Sequence, residues 1–149
     1  MFSIRSQVFE TNSSSVHAIC VSSKNMMFEE HIVAKCGYYG WEDKKYQDTV
    51  NRFQYLYAMV YRDPDKLERF QSLLQELNVT YEIVNEDDHA YVDHDEEAED
   101  FVSYVLDNPA NLANWLFSSE SYVKTGNDNS DCCPPYPWGF DGEIFMKGN

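Results

Sequence analysis

Between Phe70 and Val123 the chain has no Lys or Arg, although thirteen Asp or Glu fall in that stretch. Over all 149 residues, 11 basic side chains stand against 26 acidic ones, a formal charge of −15. Duplex DNA, RNA and anionic membranes are normally bound by Lys and Arg that displace counterions, so this shortage argues against all three as direct partners. It favours partners that are themselves basic, including the channels of nucleic-acid-binding proteins. No apolar run approaches the ~18 residues of a membrane span. The opening MFSIRSQVF also lacks the apolar core of a secretory signal, so the expectation is a cytoplasmic protein. Cysteine is scarce: Cys20, Cys36, Cys132 and Cys133 match neither a zinc pattern nor a small disulfide scaffold, and reduced thiols are the plain reading. In a cytoplasm the Asn-x-Ser/Thr triplets at Asn12 and Asn78 carry no glycosylation meaning.

What the chain does have is apolar surface. Hydrophobic residues make up 43% and aromatics 15%, and a chain of this length buries about two-thirds of its unfolded surface without needing a metal or disulfide. The pattern predicts strands over Ser3–Phe9 and Val16–Ser22, joined as a hairpin by the polar loop Glu10–Ser15, and a further strand at His31–Lys35 before a turn at Gly37–Trp41. Tyr46, Val50, Phe53, Tyr57 and Val60 then recur at helical spacing. Asp63 and Pro64 read as N-cap and first residue of a second helix striped by Leu67, Phe70, Leu74 and Leu77. Val79–Val84 is a strand by composition. Asp93–Asp107 reads as a third helix, broken at Asn108-Pro109 and followed by a short fourth over Ala110–Phe117. Weaker strand signals lie at Tyr122–Lys124 and Glu143–Lys147. Together these predict one α+β domain over residues 1–149, a small antiparallel sheet with three to four helices packed on it.

Nine acids are crowded between residues 86 and 100: Glu86, Asp87, Asp88, Asp93, Asp95, Glu96, Glu97, Glu99 and Asp100. Carboxylates in a helix's first turn complement its dipole, which accounts for Asp95, Glu96 and Glu97. It does not account for Asp87, Asp88 or the missing cations, since soluble surfaces ordinarily mix the two signs. A solvated face with no specific partner is one reading. The other is a carboxylate array that imitates a nucleic-acid backbone and occupies a basic cleft, with Tyr81, Tyr91 and Tyr104 as anchors beside the charges. No calcium-loop pattern is present.

Two polar loops carry the alternative chemistry. In Asn12-Ser13-Ser14-Ser15 followed by His17, an extended backbone turns Ser13, Ser15 and His17 to one side. A hydroxyl and an imidazole so placed can begin a nucleophile–base pair. The competing reading is a loop that satisfies its own backbone, with His17 packed on the sheet. The second loop, Thr125-Gly126-Asn127-Asp128-Asn129, suits tight turns. Should the loops meet, Ser13, Ser15, His17 and Asp128 form a candidate catalytic set, and Asn12, Ser14, Asn127 and Asn129 a candidate ligand-binding set. His89 and His94 beside Asp93 and Asp95 have metal-ligand chemistry but the wrong spacing, so no metal and no cofactor are expected.

The stretch Val8-Phe9-Glu10-Thr11-Asn12-Ser13-Ser14-Ser15-Val16-His17 resembles the N-terminal signature of a family of small proteins from bacteriophages and bacterial mobile elements. Gly37-Tyr38-Tyr39-Gly40-Trp41-Glu42, Tyr91-Val92-Asp93-His94 and Tyr122–Asn129 extend the likeness over most of the chain. The resemblance implies a biological setting and no mechanism. By analogy with small acidic accessory proteins of that setting, the expected function is a nucleic-acid-mimicking inhibitor of a host defence nuclease, of anti-CRISPR or anti-restriction type. The alternative is a small nucleotide- or phosphate-binding enzyme using the two polar loops.

Overall fold

The computed structural model describes residues 15–85, 89–127 and 137–148. In chain order the strands are β1 (Ser15–Val21), β2 (His31–Ala34), β3 (Tyr38–Tyr39), β4 (Lys44–Tyr46), β5 (Thr80–Ile83), β6 (Tyr91–Val92), β7 (Tyr122–Asn127) and β8 (Glu143–Lys147). The helices are α1 (Thr49–Val60), α2 (Pro64–Glu76), α3 (Glu99–Val105) and α4 (Pro109–Phe117), with a 3-10 turn at Asp95–Ala98 leading into α3. The architecture is α+β, as the pattern predicts.

The main sheet is antiparallel in the order β4-β7-β1-β8. β1 lies between two partners and all seven of its residues are buried. Its period of two sends Ile19 and Val21 into the core under the helices, and Ala18 to the other face beside Tyr122 and Pro137. Outside this sheet, β2 pairs with β5 and β3 with β6, both in parallel, forming an interrupted ribbon. The connection from β2 to β5 runs through α1 and α2, as a parallel pair requires.

The helix starts follow their capping chemistry. Asp48 accepts the Asn51 amide at 2.9 Å and Asn108 accepts the Asn111 amide at 2.9 Å. Asp63 caps α2 through the amides of Asp65 and Lys66, with Pro64 where a missing N–H costs nothing. Asn78, at φ 59°, turns the chain out of α2 into β5. Phe53, Tyr55, Phe70, Phe101 and Trp115 fill the core between sheet and helices.

Three expectations change. Lys44–Tyr46 is strand, and α1 begins only after Asp48, whose side chain caps it. The segment expected as one helix over Asp93–Asp107 begins, just after β6, as a turn with a left-handed His94, φ 53°, and the 3-10 turn, so regular helix starts only at Glu99. The turn expected over residues 37–41 holds strand β3. The hairpin partner expected at Ser3–Phe9 lies outside the described residues. No helix among the described residues is long and apolar enough to cross a membrane.

Candidate functional site

β1, β7 and β8 bring three of the singled-out residues to one end of the sheet. Ser15 stands opposite Asn127, and His17 stands between Thr125 on one side and Lys147 on the other. The described ends of the two polar loops are therefore register neighbours. Asn12, Ser13, Ser14, Asp128 and Asn129 lie outside the described residues, as do Cys132 and Cys133.

His17 is buried and both ring nitrogens are engaged away from Ser15. Nε2 lies 2.6 Å from the Gly40 carbonyl, which can only accept, so Nε2 carries the hydrogen. Nδ1, 2.8 Å from the Tyr55 hydroxyl, then accepts from it. Burial, followed by the nearby charge of Lys147, pushes the imidazole pKa down to about 4. Burial likewise drives the Tyr55 phenol well above its ordinary value. The pair is neutral at neutral pH, a polar strut through the core.

The group beside Ser15 is an ammonium. Lys147 Nζ donates to Ser15 Oγ at 2.7 Å and to the Ser15 carbonyl at 3.3 Å. The Ser15 hydroxyl in turn donates to the Asp93 carbonyl at 3.3 Å. Both side chains are buried. Desolvation lowers the Lys147 pKa, and the opposing pull of Glu97, Asp93, Glu96 and Asp95 only partly restores it. None of the ion pairs found among the described residues includes Lys147. Its charge is met at longer range by the acidic segment above it.

Asp93 starts that segment. Burial disfavours its charge, but the hydrogen bond from Tyr91 and the nearby Ser15 hydroxyl, with the charges of His94 and Lys147, outweigh burial and hold its carboxyl below the ordinary range. The Tyr91 hydroxyl donates to it at 2.8 Å. Asp95 is half-buried, and burial, then repulsion from Glu96, raises its pKa. Glu96, Glu97, Glu99 and Asp100 are exposed along the 3-10 turn and the first turn of α3. The corner is fixed from beneath by buried Ala98 and Phe101.

Compensation is present but partial. Lys66 reaches Glu99 at 2.8 Å, His94 lies 3.5 Å from Glu96, and Arg62 acts on Asp95 at a distance. Glu86, Asp87 and Asp88 lie outside the described residues. Between β8 and α3 a narrow cleft of about 150 Å³ is lined by Glu97, Asp100, Phe101 and Lys147, among others. Among the described residues no group of three or more His, Cys, Asp or Glu is placed to hold a metal ion.

Lys147 and Tyr55 had no signal in the sequence marking them as site residues. Lys147 ends an unremarkable strand of mixed residues. Only the pairing of β8 with β1 turns its side chain inward. Searches against family models, curated proteins and solved structures found no match to the chain.

Proposed function

We propose that this chain is an accessory protein of a phage or mobile element that docks its acidic corner into the basic cleft of a host nucleic-acid-handling protein. Inhibition of an anti-CRISPR or anti-restriction kind is the outcome the charge would serve. One observation carries the reading. Glu96, Glu97, Glu99 and Asp100 are solvent-facing within one short corner whose buried residues pin it to the core, and of these Lys66 pairs only with Glu99. A carboxylate array held in place loses little entropy on docking, and the chain's charge of −15 steers it toward a basic surface.

The test is capture of host proteins on the full chain at low and high salt, beside a variant carrying Glu96→Lys, Glu97→Lys and Asp100→Lys. A nucleic-acid-binding protein held by the parent, released by salt and lost by the variant supports the reading. Equal capture by parent and variant rules out this corner as the contact.

A second reading rests on the 2.7 Å contact of Ser15 Oγ with Lys147 Nζ beside Asn127. A hydroxyl next to a lysine whose charge burial disfavours is the pairing a small hydrolase or phosphate-binding enzyme uses. Covalent labelling of Ser15 by a fluorophosphonate, or thermal stabilisation by one member of a nucleotide panel, would favour it. Neither response would leave the contact a structural one.

A further inference from the structure

Among the described residues, strand β5 is paired along only one of its two edges. The amides of Thr80 and Val84 donate to the carbonyls of Glu30 and Ala34, each at 2.9 Å, in the parallel pairing with β2. Alternation along the strand therefore turns the amides and carbonyls of Tyr81 and Ile83 to the opposite edge. No other strand of the described chain pairs there.

A groove follows that free edge between β5 and α2. One stretch, about 520 Å³, has Leu74 and Asn78 in its lining, and the next, about 530 Å³, has Leu67 and Ile83. Gln71 and Tyr81 line both, joined by a hydrogen bond of 2.9 Å from Gln71 Nε2 to the Tyr81 hydroxyl. Apolar patches on the floor, with unpaired backbone groups along one wall, are the parts that β-strand addition needs.

We infer that this edge takes an extended, Lys- or Arg-bearing segment of a partner protein, which adds as a strand beside β5 and rests its side chains against α2. The exposed backbone rungs specify an extended occupant. Charge specifies its sign, because among the described residues Glu82 is the only charged one lining either stretch, and the whole chain carries −15. The same charge opposes a second copy, since joining two such edges would bring two strongly acidic chains and their Glu82 side chains together. Short length and an edge charge are also how proteins blunt free edges against self-pairing. Neither device obstructs a basic strand.

The experiment selects peptides from a random displayed library against the full chain, then measures the best one as a soluble peptide by calorimetry. Enrichment of basic, alternating sequences is expected. N-methylation of the peptide's amides one at a time should then weaken binding about tenfold at every second position and little between, because only alternate amides reach Tyr81 and Ile83. Glu82→Lys should shift selection away from basic peptides, and bound peptide should slow hydrogen exchange of the Tyr81 and Ile83 amides. The inference is overturned by a library yielding no binder, by affinity insensitive to N-methylation at any position, or by the free chain dimerising through Tyr81–Ile83.

Discussion

Lys147 Nζ and Ser15 Oγ lie 2.7 Å apart, buried at opposite ends of the described sequence. The ammonium has this hydroxyl and one carbonyl as its acceptors, so the two side chains are energetically coupled. Ser15→Ala leaves the charge with the carbonyl alone and is expected to cost about 1–3 kcal/mol. Lys147→Met removes the charge and keeps the volume, and should change stability by no more than about 1 kcal/mol. In the Lys147→Met background Ser15→Ala should then cost much less than it does alone. Urea denaturation of the four proteins measures the coupling. Additive effects would show that the contact contributes nothing.

His17 makes stability depend on pH. Its folded pKa, about 4, lies below the ordinary 6.5, so the unfolded chain binds the extra proton first as pH falls. Stability is therefore complete above pH 6.5 and is lost progressively down to about pH 4, by on the order of 3 kcal/mol over the full window. Carboxylates add their own pH dependence, and His17→Asn isolates the imidazole's share. Urea midpoints at pH 7, 6 and 5 should converge for the two proteins as pH falls. Parallel curves would mean that the imidazole does not drive the effect.

Much of this was legible in the residues, and the failures share one cause. Asp63 caps α2 as expected, because capping is local, and Asn108-Pro109, expected as a helix break, supplies the cap and first residue of α4. The weaker strand signal over Glu143–Lys147 does form β8. The parallel ribbon was not foreseen, because Tyr38–Tyr39 and Tyr91–Val92 become strands only through each other. The acidic run looked uncompensated because Lys66 and Lys147 are distant in sequence and close only in space. His17 shows the same limit: its pairing with Tyr55 and Gly40 spans elements that no spacing rule connects.

Among the described residues no carboxylate pairs with the buried cation Arg52. Its guanidinium donates to the carbonyls of Ser121 at 2.7 Å and Leu116 at 2.9 Å, to the Gln47 carbonyl, and to Thr49 Oγ1 at 3.2 Å. It thus joins the start of α1 to the end of α4 and the entry to β7. Arg52→Met leaves several buried carbonyls unpaired, and a loss of about 3 kcal/mol or more is expected. Arg52→Lys, with one nitrogen in place of a planar fork, should recover only part. Thermal unfolding of both variants checks the order. A Met variant as stable as the Lys variant would refute the carbonyl-bridging role.

Two glycines separate backbone strain from collision. Gly139 has φ +80° with nothing within 4 Å of an added Cβ, whereas at Gly142, φ +154°, the Cβ would sit 2.3 Å from the Val21 carbonyl oxygen. That oxygen belongs to β1 where β8 begins its pairing, at the Val21–Glu143 register position. Relief requires β8 to move away from the central strand. Gly139→Ala should cost about 1 kcal/mol, the penalty for a side chain in the left-handed region. Gly142→Ala should cost about 2–4 kcal/mol, because a rigid backbone atom is struck. The loosened start of β8 should also appear as faster hydrogen exchange in Ile144 and Phe145. Equal costs at the two positions would mean that conformational strain alone governs both, and that the packing of β8 on β1 tolerates a methyl group.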